Sequence, residues 1–95
     1  MEFGEAFGLT FQNLRIHLGL SQARFQSVAA VSTISRIERG IQIPTLPLIE
    51  GLAKIMEIEP LTLLVLTAAM KDGSLEGKAV IEKIERDLRR LNRLD

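Results

Sequence analysis

Apolar positions along this chain return every three or four residues, the period of helices, and no strand pattern is evident. Phe11, Leu14 and Leu18 share one helical face, with Phe7 one turn earlier. They predict a first helix over 10–18, ended by Gly19, since glycine is the usual residue just past a helix. Ser21 is placed to cap a short second helix from Gln22 to about Ser27, anchored by Phe25. Ser32 or Thr33 caps a third, in which Ile34 and Ile37 turn inward and which Gly40 ends. Ile41-Gln42-Ile43 reads as an extended connection, because the residue before Pro44 is pushed out of the α region. Thr45 then caps a fourth helix, Leu46 to Met56, with Leu48, Ile49, Leu52, Ala53 and Met56 in helical register.

Glu59-Pro60 has the form of a helix start, and Leu61 to Met70 is too apolar all round to face water, so this fifth helix is expected at the centre of the core. Lys71-Asp72-Gly73-Ser74 reads as a turn with a cap, followed by a sixth helix from about Leu75 to Leu94. On it Ile81, Ile84, Leu88 and Leu91 repeat at 3-4-3 spacing, and Glu82/Arg86 and Glu85/Arg89 stand at i, i+4 in the favourable orientation. The stripe has to bury itself either on this domain or on a partner.

Ninety-five residues without a long polar tract imply one domain with one modest core. A chain of this size is marginally stable alone and gains from the extra burial of a dimer. Four Phe and neither Trp nor Tyr leave that core to Leu, Ile, Val and Ala. The absence of cysteine removes disulfides, thiolate metal sites and cysteine nucleophiles, and fits a reducing cytoplasm. Met1-Glu2-Phe3-Gly4-Glu5 lacks a basic n-region, and the Leu61–Met70 stretch is about half of what spans a bilayer, so neither signal peptide nor membrane span is expected. A formal net charge of zero argues mildly against nucleic-acid binding. Up to Glu50, however, every basic residue is an arginine: Arg15, Arg24, Arg36 and Arg39.

One constellation stands out: Leu20-Ser21-Gln22, Phe25, Val31 through Gly40, and Pro44-Thr45-Leu46. Two short capped helices joined by a tight turn, each with an apolar inner face, make a helix-turn-helix. Gly19-Leu20-Ser21-Gln22, Val31-Ser32, Ile34-Ser35-Arg36-Ile37-Glu38-Arg39-Gly40 and Pro44-Thr45-Leu46, extended by Leu14-Arg15 and Leu52-Ala53, resemble the phage-repressor-like (Xre-type) family of DNA-binding proteins. The resemblance covers roughly Phe11 to Leu66. It departs in a shorter segment between Gln22 and Ile34 and in Ala30, where a turn glycine is frequent. The shorter form belongs to a branch of the family, often with a motif like Pro60-Leu61-Thr62-Leu63-Leu64 downstream.

The resemblance implies an all-α fold: a five-helix lambda-repressor-like DNA-binding domain over 1–73, its helix-turn-helix at about 21–39, plus a C-terminal sixth helix over 74–95 as a dimerisation element. The implied partner is double-stranded DNA, bound by a homodimer. Gln22, at a helix N-terminus, is the expected phosphate clamp. Ser32, Thr33 and Arg36 face base edges, Arg36 with the fork that matches guanine O6 and N7. Ser35 and Arg39 lie where phosphate contact is expected. The plain alternative for both arginines is a solvated helix face, and for Ser32 or Thr33 a cap alone. Glu38 is expected to serve structure, through Arg15, Arg24 or nearby backbone, and His17 to be an ordinary exposed histidine. Ile81, Ile84, Leu88 and Leu91 are the dimer-interface candidates, with packing on the monomer core as their competing role. Glu82, Glu85 and Asp87 alternate with Lys83, Arg86, Arg89 and Arg90 as on a solvated helix, and no glycine-rich phosphate loop follows a strand. No catalytic residue, metal ligand or cofactor is expected. The alternative function is a protein-interaction module, such as an antitoxin-like partner with the same fold.

Overall fold

Four phenylalanines in successive contact organise the interior. Phe3, Phe7 and Phe11 recur every fourth residue on the first helix, with ring centroids 5.8 and 6.4 Å apart. Phe25 meets Phe11 edge-on at 5.1 Å. Phe7, Phe11 and Phe25 are wholly buried, and Ile34, Ile37, Ile49, Leu52, Met56 and Leu63 close the core around them. Each such side chain contributes about 1.5–3 kcal/mol on leaving water.

The computed structural model describes residues 1–95. It contains α1 (Phe3–His17), a 3-10 helix at Gln22–Phe25, α2 (Val31–Glu38), α3 (Leu46–Met56), α4 (Pro60–Lys71) and α5 (Lys78–Arg90), with no strand. The fold is all-helical, as expected, but the count is five α-helices rather than six. The expected second helix is a single 3-10 turn, and Ser21 before it makes no capping bond. The first helix begins at Phe3, well before Thr10, and Glu2 N–H donates to the Glu5 carboxylate at 3.4 Å across its first turn. The third begins at Val31 behind Ala30, so Ser32 and Thr33 lie inside its first turn and neither is the cap.

α3 keeps its expected bounds, and Leu48 N–H donates to Thr45 Oγ1 at 3.3 Å. α4 is less central than its composition predicts: Leu63, Thr67 and Ala69 are buried, but Leu61 is 67 % exposed. The last helix is shorter than 75–94, because Ser74 Oγ accepts from Glu76 N–H in a turn and helix starts only after Gly77.

α1 packs against α4 and α2, while the 3-10 turn packs against α2 and α3. The α1–α2 approach is close at Gly8: a Cβ there would lie 2.4 Å from the Ile37 carbonyl oxygen and 2.8 Å from that of Glu38. Both obstacles are backbone, so only glycine fits. Gly8→Ala is expected to destabilise the protein by about 1–3 kcal/mol through overpacking, although alanine favours a helix interior by about 1 kcal/mol. Chemical denaturation measures the difference, and an unchanged or higher midpoint contradicts the close approach.

Candidate nucleic-acid interface

The amphipathic pattern of α2 decides which of its residues face outward. Ile34, Ile37 and Glu38 are buried; Val31 and Ser32 are exposed, as is Arg39 just past the helix end; Thr33, Ser35 and Arg36 are half-buried. The six residues proposed from sequence to touch DNA therefore remain accessible at least in part, Gln22 being half-buried at the start of the 3-10 turn.

Glu38 fixes how these elements sit. Arg15 donates from Nε to Glu38 Oε2 at 2.6 Å and from Nη2 to Oε1 at 3.0 Å. Gln22 Nε2 adds a bond to Oε1 at 3.0 Å and Gln12 Nε2 another at 3.4 Å. Arg15 Nη1 also donates to the Leu20 carbonyl at 2.9 Å. Arg15, not Arg24, is thus the partner of Glu38, and Gln22 and Gln12 were not foreseen in this role.

Arg36 is also held. Its Nε donates to Gln42 Oε1 at 3.1 Å and its Nη2 to Thr33 Oγ1 at 3.2 Å, leaving three of its five N–H groups for a ligand. Gln42 reaches it because Gly40, at φ 75°, turns the chain back so that Ile41 and Gln42 N–H both donate to the Arg36 carbonyl. Gly40 is wedged against the Glu5 backbone, with its Cβ position 3.2 Å from Glu5 Cα. Arg39 Nε donates to the Ser35 carbonyl at 3.3 Å and is otherwise exposed.

A helix-turn-helix family model (HTH_3) matches residues 11–63, more than half of the chain. The chain belongs to this phage-repressor-like (Xre-type) family. No curated protein and no solved structure matches it significantly. The matched segment runs from Phe11 in α1 to Leu63 in α4, so the DNA-binding helix-turn-helix domain encloses the Arg15–Glu38 pair, the 3-10 turn and α2.

α5 lies outside the matched segment and packs chiefly on α4. None of its residues is buried. Ile81 and Ile84 are exposed, Leu88 is half-buried, and Leu91 stands exposed just past the helix end, so the stripe is not part of the monomer core. Of the two expected i, i+4 pairs, Glu85–Arg89 forms at 3.3 Å and Glu82–Arg86 does not; Lys83 instead approaches Asp72 at 3.9 Å. His17 is exposed. No helix is long and apolar enough to cross a membrane.

The Glu38 side chain is only 2 % exposed, so removing its counter-ion strands a buried charge. Arg15→Ala is expected to cost about 3–5 kcal/mol. A double replacement of Arg15 and Glu38 by well-packed apolar residues is expected to recover most of that loss. Urea unfolding of the single and double variants checks both.

Proposed function

We propose that this protein is a sequence-specific transcriptional regulator that binds an inverted-repeat operator as a homodimer. The observation that carries the reading is the sign of the exposed charge. Between Gly19 and Ile49 the only acidic residue is Glu38, which is buried and paired with Arg15. Arg24, Arg36 and Arg39 are then the only charged side chains that this segment turns to solvent. Although the chain has zero net charge, the charged side chains that this segment offers to phosphates are therefore all cationic.

In this reading the N-terminal part of α2 enters the major groove, Ser32, Thr33 and Arg36 face base edges, and Arg36 pairs with guanine through its free N–H groups. Ser35 and Arg39 bond phosphates. Gln22 keeps a second amide hydrogen beyond the one on Glu38, available to a phosphate oxygen. Residues 1–73 form the DNA-binding unit, and 74–95 supply the dimer element, with Ile81, Ile84, Leu88 and Leu91 covered by a second copy. Two-fold pairing doubles the phosphate contacts and places half-sites about one helical turn apart. The cytoplasm is the corresponding location.

Zero net charge and the uncovered α5 stripe favour a second reading, in which the same fold chiefly binds another protein, as an antitoxin-like partner does. The two are separated by capturing source-genome fragments on the purified protein at about physiological salt. Enrichment of sites sharing an inverted repeat supports the regulator; retention of nothing, or of unrelated fragments, favours the protein partner.

Two substitutions refine the assignment. Arg36→Ala is expected to lower operator affinity about tenfold or more while leaving the circular dichroism spectrum unchanged, and equal affinity for variant and parent defeats the guanine contact. Ile84→Glu is expected to shift the protein toward monomer in sedimentation, and an unaltered oligomeric state removes α5 from the interface.

A further inference from the structure

Every large aliphatic side chain of α2 is buried except one: Ile34 and Ile37 are fully enclosed, and Val31 is 38 % exposed. Single exposed apolar residues are ordinary on protein surfaces, so exposure alone carries little weight. Position is what distinguishes Val31. It is the first residue of α2, directly after Ala30, whose extended backbone delivers the chain into the helix. That N-terminal end is the part of a recognition helix that reaches base edges. Ser32 beside it is exposed and Thr33 half-buried, so the end presents one apolar group among hydroxyls.

A valine side chain has no donor or acceptor, so it bonds neither a phosphate oxygen nor the polar atoms of a base. The major-groove edge offers one apolar group, the C5 methyl of thymine. Resting on the DNA-binding reading above, we propose that Val31 is a specificity residue that reads a thymine through its methyl group.

The test uses the full chain and the operator recovered by genomic capture, with the thymines of one half-site replaced singly by deoxyuridine. For the wild-type protein one replacement is expected to weaken binding roughly fourfold, the worth of one apolar carbon leaving water. Val31→Ser is expected to bind the unmodified operator weaker by a similar factor and to ignore uracil at that same position. Val31→Ile should keep the sensitivity. The guanine preference assigned to Arg36 should survive in both variants, and an unchanged thermal midpoint shows that the fold is intact. Wild-type indifference to every uracil replacement, or equal sensitivity of Val31→Ser, overturns the methyl contact and leaves DNA recognition standing. A protein that retains no preferred sequence overturns both.

Discussion

The bond between Arg15 and Glu38 is the constraint on which the geometry of the helix-turn-helix depends. Apolar contacts hold α1, the 3-10 turn and α2 together, but such contacts are non-directional and tolerate rotation of one helix on another. One guanidinium here takes both carboxylate oxygens of α2 and the Leu20 carbonyl that leads into the 3-10 turn. Gln12 and Gln22 share the remaining acceptor capacity of Oε1. Charge-assisted hydrogen bonds of this kind depend on direction, so the pair fixes the rotation of α2 about its own axis. It also withdraws from solvent the one carboxylate between Gly19 and Ile49.

How much of this was legible in the sequence varied with the range of the signals. α3 could be read to the residue because Pro44, the Thr45 cap and five apolar positions in register are all local. The start of α1 was missed because Gly4 and Gly8 are poor helix formers. Tertiary structure requires glycine at position 8, against the Ile37 and Glu38 carbonyls, and packs Gly4 tightly on Gly40 and Ile43. Ser21, Ser32 and Thr33 looked like caps by composition, yet no capping bond forms at either helix start. The residues facing outward on α2 followed from the inward Ile34 and Ile37. Gln42 beside Arg36 was out of reach, since it depends on the backward turn at Gly40. Sequence left Arg15 and Arg24 both open as partners of Glu38, and only the packing of α1 on α2 separates them.

The second half of the chain is apolar in excess of what the monomer covers. α4 turns Leu63, Thr67 and Ala69 inward, but its other side meets only α5 across a groove lined by Leu61, Val65, Leu66 and Ile81. α5 has thirteen residues, near the length at which isolated helices are marginal in water, and it has no buried side chain to add tertiary support. The molecule is elongated, 42 × 25 × 23 Å, rather than closed over these surfaces. α5 therefore belongs at the low end of local stability, well below the phenylalanine-centred core.

Anchoring and reading are divided between opposite faces of a helix only eight residues long. Ile34, Ile37 and Glu38 hold α2 to the body with Gly8 beneath them, while Ser32 and, just past the helix end, Arg39 are exposed. Drift on the outer face is thus free of the penalty that attends changes in the core. A lineage carrying this scaffold can explore new binding preferences one surface residue at a time, through intermediates that stay folded throughout.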